Sequence, residues 1–234
     1  MSTEPTTTET PSSPRWRPLE AIQRRVLGVL IEKAKTTPEA YPLSLNALRS
    51  GCNQKSNRAP LMQLEEPQIE ETLDELRQMG AVAVVQGGGR IDRYRHLAYE
   101  WLGVDKVELA VMAELLLRGA QTVGELRGRA ARMEPIKDLT ALQPTLDTLQ
   151  AKNLILYLTP PGRDSVVSHA LYLDREMDKV RREIGVGPPA PAATQGFSRP
   201  EGEHSPREAA RPIPARPPSD GEPLHDELAA LRNR

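Results

Sequence analysis

His96 and His169 are the side chains in this chain best suited to bind a metal or move a proton, and they stand 73 positions apart. A metal site needs further Asp, Glu, Cys or His donors at ligand spacing, and no such cluster accompanies either histidine. Cys52 is the only cysteine and has no neighbouring histidine, so it reads as a buried thiol. Gly87-Gly88-Gly89 could suggest a phosphate cradle, but such loops join a strand to a helix. This one lies between two strand-like runs, as a hairpin tip does. No paired carboxylates and no nucleophile–base arrangement emerge. The expectation is a protein that is not an enzyme, without metal or cofactor, whose two histidines hydrogen-bond within strands.

Cations offer a different chemistry, the binding of phosphates. Lys55 and Arg58 flank a turn, with Gln54, Ser56 and Asn57 as hydrogen-bonding companions in a polar contact loop. Arg90, Arg93 and Arg95 fall in one hairpin and Arg163 in another, while Arg127, Arg129, Arg132 and Lys137 cluster farther along. Glu70, Glu71 and Asp74 oppose them, with only Arg77 as countercharge on their helix. The 53–58 stretch has two open readings. Its polar side chains contact a nucleic acid or protein, or else they hydrogen-bond the backbone of a long irregular connection.

The elements that position these groups come from a duplication. At an offset of 73, Thr72, Leu73, Asp74 and Leu76 fall on Thr145, Leu146, Asp147 and Leu149, Gly89-Arg90 on Gly162-Arg163, and His96 and Tyr99 on His169 and Tyr172. That is about eight identities in 31 positions without a gap. Each copy reads as an amphipathic helix followed by strand, turn and strand. Ile69, Leu73, Leu76 and Met79 lie on the first helix, closed by Gly80, and Leu142, Leu146 and Leu149 on the second. The strands are expected over 81–85 and 91–99, then 154–158 and 165–173. Two shorter helices precede each copy: 19–35 and 45–50, then one from Val107 to Gly119 and one from Val123 to about Met133. Ser44 and Thr122 serve as N-caps, and Pro144 places the start of the last helix near Leu142. Three helices and a hairpin make a winged helix, the helix-turn-helix variant that docks on DNA.

The expected fold class is therefore mainly α with small β-hairpins (α+β): two tandem winged-helix domains, 17–100 and 104–173, between disordered tails. A leader covers 1–16 and a C-terminal helix 174–185. A Pro/Ala-rich tail follows over 186–223, where ten of the chain's 22 prolines fall up to Pro223, then a short amphipathic segment over 224–234. Leu173, Met177, Val180 and Ile184 form a stripe that packs on its own domain or seats a second copy as a homodimer. The net charge of -1 disfavours a strongly basic, sequence-blind nucleic-acid binder. Without a signal peptide or an apolar run long enough to span a membrane, a cytoplasmic protein is expected.

Tyr41-Pro42-Leu43-Ser44-Leu45-Asn46-Ala47-Leu48 and then Cys52-Asn53-Gln54-Lys55-Ser56-Asn57-Arg58 resemble the YceH-like family of bacterial proteins of unassigned function. Arg25-Val26-Leu27-Gly28 with Glu32-Lys33, Glu114 to Gly119, Gln121-Thr122 and Gly124 to Arg127 add to the likeness, over roughly 19 to 173. The resemblance implies tandem winged helices, often with a C-terminal coiled coil of which Leu224 to Leu231 looks like a shortened version, and no established reaction or ligand. Ala59 and Val123 depart from it, standing where the family usually has Asp and Pro. Double-stranded DNA is the expected partner, with a role in transcription regulation. The competing reading is a protein-interaction scaffold using Glu70, Glu71 and Asp74.

Overall fold

A helix from Ala21 to Thr36 (α1) forms the axis of the fold. The computed structural model describes residues 15–86, 91–160, 162 and 164–185, all within one compact unit that spans 1–190. Gln23 accepts the Glu20 N–H at 2.8 Å and so ties down the start of α1, three residues beyond Pro18. Every residue from Gln23 to Glu32 is buried, including Arg24 and Arg25. The spacing of Leu19, Ile22, Val26, Val29 and Leu30 marked only one apolar face; the structure covers all sides. Trp16, inside the expected leader, is half-buried against the core.

After α1 the first copy continues as β1 (Leu43–Ser44), α2 (Leu45–Cys52), α3 (Glu66–Gln78), β2 (Val82–Gln86) and β3 (Asp92–His96). Ser44 caps α2, its Oγ accepting from the Ala47 N–H at 3.4 Å, and the helix runs two residues past the expected 45–50, through Gly51 to Cys52. The three strands form an antiparallel sheet in the order β1-β3-β2, with Tyr94 opposite both Leu43 and Val84. The expected strand over 91–99 ends at His96, because Ala98–Leu102 folds as a helix (α4) capped by Gly103 at φ +67°.

The second copy repeats the order: α5 (Lys106–Arg118), β4 (Gln121–Thr122), α6 (Val123–Ala130), α7 (Leu139–Ala151), β5 (Ile155–Tyr157) and β6 (Val166–His169), with sheet order β4-β6-β5. Asp105 opens α5 in a capping box, accepting from Val107 and Glu108 N–H groups while Glu108 accepts from its own. Contrary to the expected start near Leu142, α7 begins at Leu139 with Pro144 inside it, capped by Asp138. Proline removes one N–H bond there, and its exposed position leaves the unmatched carbonyl to water. The final helix, α8 (Asp174–Glu183), follows. Among the described residues the fold is thus α+β, eight α-helices with two small antiparallel sheets, and each half is compatible with a winged helix. No described helix is long and apolar enough to cross a membrane.

The halves share one hydrophobic cluster, and α1 lies along α5. Gly28 sits at that crossing: a Cβ placed on it would meet Leu117 Cγ at 2.9 Å. Gly28→Val is expected to lower stability by about 1–3 kcal/mol through overpacking, more than the helix propensity it gains. Urea unfolding checks this, and an unchanged midpoint would contradict the close approach.

Candidate interaction surfaces and the buried polar seam

The 53–58 loop turns inward. Asn57 adopts φ +58°, a left-handed conformation asparagine tolerates, and this directs its side chain into the fold. Its amide nitrogen donates to Glu32 Oε1 at 2.9 Å, and its amide oxygen accepts from Arg118 Nε at 2.8 Å. One side chain therefore ties α1 to the end of α5. Arg58, 5% exposed, donates to Glu32 Oε2 at 2.6 Å and Oε1 at 3.3 Å, to the Gly51 carbonyl at 3.0 Å and to Gln54 Oε1 at 2.9 Å. The expectation of Arg58 as a phosphate contact is corrected: its guanidinium is enclosed and occupied by the Glu32 carboxylate and internal carbonyls. Asn57 and Gln54 are likewise turned inward. Asn53 exchanges two hydrogen bonds with the Leu64 backbone, which leaves Lys55 and Ser56 as the exposed part of the loop.

Burial alone would raise the Glu32 carboxyl, but Arg58's hydrogen bonds and charge, with Asn57's help, hold it below the usual carboxylate range. Glu114 on α5 goes the other way. It is fully buried, and burial lifts its carboxyl although Arg132 and Arg118 stand 3.4 and 3.2 Å away.

The second copy's arginines are also engaged. Arg127 donates to the Ile136 carbonyl at 3.1 Å and to that of Lys137, pinning the loop between α6 and α7. Arg129 holds Gln121 and Glu125, and Arg132 reaches Glu114 and the Arg129 carbonyl. Sequence alone counts these as a basic patch; Arg127 and Arg129 are half-buried and Arg132 is exposed, each already bonded within the chain. Lys137 is exposed. In the first hairpin, Arg93 and Arg95 alternate with Tyr94 along β3 and are both exposed, Arg93 donating to the Pro42 carbonyl at 2.9 Å. Arg90, Arg163 and the glycine run lie outside the described residues, as do residues 186–234.

Along α3 five carboxylates are accompanied by a single cation of the same helix, Arg77, and Arg49 of α2 stands 3.9 Å from Glu66. Asp74 pairs with Arg77 at 2.8 Å and Glu75 accepts from Gln23. Glu70 and Glu71 are exposed and make no ion pair among the described residues. These acids belong to the helix that a winged helix would lay in a DNA groove.

The histidines occupy matched inward positions. Nδ1 of His96 accepts the Ala98 N–H at 3.3 Å, and Nδ1 of His169 accepts that of Leu171 at 3.2 Å. Burial, then the Lys35 and Arg95 charges, pulls His96 down to about 4, and burial with Arg24 pulls His169 well below its ordinary value. Both rings accept a backbone hydrogen bond through Nδ1, where the sequence suggests only a hydrogen-bonding role. Burial pushes the Cys52 thiol up to about 12, which makes it inert as a nucleophile. No group of three or more potential metal ligands occurs among the described residues.

The 173/177/180/184 stripe is half-buried along its length and packs in part on its own fold. Arg24 clamps α8 there through Glu176, with both guanidinium nitrogens 2.9 Å from the carboxylate, and lies 4.7 Å over the Tyr172 ring. The seam between the copies was not foreseen; its signal was the presence of Glu32 beside the 53–58 run in the motifs that carried the family resemblance.

The family described as a protein of unknown function, DUF480, matches residues 19–163. The chain is 50% identical over 188 residues to a UPF0502 protein of Rhodopirellula baltica, spanning 79% of each. It is 52% identical over 144 residues to one from Geotalea daltonii, spanning 61% of this chain and 66% of that one. With one from Pelobacter propionicus it shares 44% over 185 residues, 77% of this chain and 84% of the other.

Proposed function

We propose, for a chain that belongs to the DUF480 family of uncharacterised bacterial proteins, that two winged-helix domains, 17–100 and 104–173, form an interaction module that meets a cationic protein segment through α3. The observation that carries this reading is the exposed acidic face of α3, where Glu70 and Glu71 have no internal partner and Asp74 shares only Arg77. Phosphate would be repelled there, whereas lysine and arginine side chains would be attracted, in a manner weakened by salt. Binding to duplex DNA, with a role in transcription regulation, is the second reading. It is favoured by Arg93 and Arg95 side by side on the outer face of β3, with Lys55 and Lys137 also exposed. It draws less support because Arg58 is buried against Glu32, and Arg127, Arg129 and Arg132, though they keep exposed surface, already bond to groups of the chain.

Anisotropy with two labelled probes, a decalysine peptide and a 30-base-pair duplex, separates the readings. At about 50 mM salt the peptide is expected to bind and to weaken at least tenfold when Glu70, Glu71 and Asp74 are changed to lysine, each lost charge removing part of a salt-sensitive attraction. Duplex binding that the double change Arg93→Glu, Arg95→Glu abolishes, without peptide binding, would overturn the proposal in favour of DNA.

A further inference from the structure

The first sheet ends on an open strand. β2 has a single neighbour, β3, so its other edge carries no partner strand among the described residues. The Leu97 N–H donates to the Ala81 carbonyl, while the His96 N–H turns away to the Tyr41 hydroxyl. In the alternation of an antiparallel pair, the backbone groups of Ala81, Ala83 and Val85 therefore face β3, and those of Val82, Val84 and Gln86 face outward. Val82 is buried, but Val84 is half-buried and Gln86 exposed, and no described residue bonds to their outward N–H and C=O groups. β2 also lacks the charge or proline that guards an exposed edge.

A groove runs beside this edge, walled by Asp74, Arg77 and Gln78 of α3 and floored by Val82, Ala83 and Val84. Glu70 lies one helical turn before Asp74 on the same flank of α3. Burial, then the charges of Asp92, Glu70 and Asp74, raises the hydroxyl of Tyr94, which stands opposite Val84. The duplication supplies a comparison. At the offset of 73, Glu70, Asp74 and Val84 correspond to Gln143, Asp147 and Tyr157. The Gln143 amide donates to Asp147 at 2.8 Å and to the Tyr157 hydroxyl at 3.4 Å, bridging helix and strand in the second copy. Neither bond can form in the first copy, because an ionised Glu70 has no donor and the Val84 side chain no polar atom. That groove stays open, with two carboxylates against the one guanidinium of Arg77.

We propose that the cationic segment assigned to α3 binds here as an added β-strand along Val84 and Gln86, its lysine or arginine side chains directed to Glu70 and Asp74. Its alternate side chains lie on the opposite face, beside Ala83 and Val85. Those two residues pair with Arg95 and Arg93, so apolar side chains are accepted there and cations repelled. This inference rests on the α3 reading and adds the partner's conformation and residue pattern. Anisotropy on the full chain tests it with decalysine, a peptide alternating lysine and valine, and two forms of that peptide whose backbone is N-methylated at every lysine or at every valine. An added strand turns only alternate amides toward β2, so one methylated form is expected to bind about tenfold more weakly than the other at identical charge. Val84→Pro removes an N–H that faces away from β3 and should weaken the alternating peptide about tenfold, with circular dichroism confirming the fold. Equal binding of the two methylated forms, or full affinity in folded Val84→Pro, would overturn the added strand, and decalysine binding would then leave the α3 reading in place. Failure of decalysine and the alternating peptide alike would end both.

Discussion

Glu32→Ala is expected to lower the unfolding free energy by about 3–5 kcal/mol, the cost of removing one partner from a buried ion pair. Arg58 is wholly enclosed and Glu32 is 7% exposed, so water cannot replace the lost carboxylate. The damage extends beyond the pair. Asn57 loses its acceptor in α1, and with it a link between α1 and Arg118 of α5. Arg25 and Arg58 would then face each other with no intervening negative charge. The double change Glu32→Leu, Arg58→Met should recover much of the loss, because no charge is left stranded. Urea unfolding at pH 7 decides: a loss below about 1 kcal/mol for Glu32→Ala would mean that the seam contributes little.

Acid is expected to destabilise the fold from pH 6.5 downward, well before most carboxylates titrate. In the unfolded chain both imidazoles take up protons near their ordinary value of 6.5; in the fold His96 resists until about 4 and His169 until well below 6.5. The unfolded state thus binds more protons in that window, so stability is complete above 6.5 and declines as pH falls. His96 contributes roughly 1–2 kcal/mol of loss by pH 5, and His169 adds a loss of the same sign. Glu32, with its lowered carboxyl, adds loss only below the carboxylate range, and Glu114, raised by burial, moves the opposite way as it is protonated. The His96→Gln, His169→Gln variant should be less stable at pH 7 but nearly flat between pH 7 and 5. A wild-type midpoint constant from pH 7 to 5 would contradict the buried, neutral assignment.

The duplicated architecture was legible because apolar spacing at 3.6 and 2 residues reports which side of an element is covered. Ser44 and Thr122 as caps, the hairpin strands and the matched places of the two histidines at the ends of β3 and β6 all follow from such local signals. What the spacing could not show is the fate of polar residues, since a charged side chain has the same letter whether it meets water or a buried carboxylate. Arg58 was read as a surface cation, and it acquires its role only when Glu32 of α1 is brought against it. For the same reason α1 showed one face, although Arg24, Arg25 and Glu32 make its other faces internal. Pro144 misled because an exposed helix can leave one carbonyl to solvent. The acidic face of α3, by contrast, was plain from sequence, because none of the described residues folds over Glu70, Glu71 and Asp74.

Whether the 53–58 loop reaches outward or holds the two copies together can be read directly from native-state labelling. Brief treatment with phenylglyoxal, which modifies accessible guanidinium groups, followed by peptide mass mapping, should label Arg93 and Arg95 while Arg25 and Arg58 stay unmodified until the chain is unfolded. Labelling of Arg58 in the native chain at the rate of Arg93 would contradict the account.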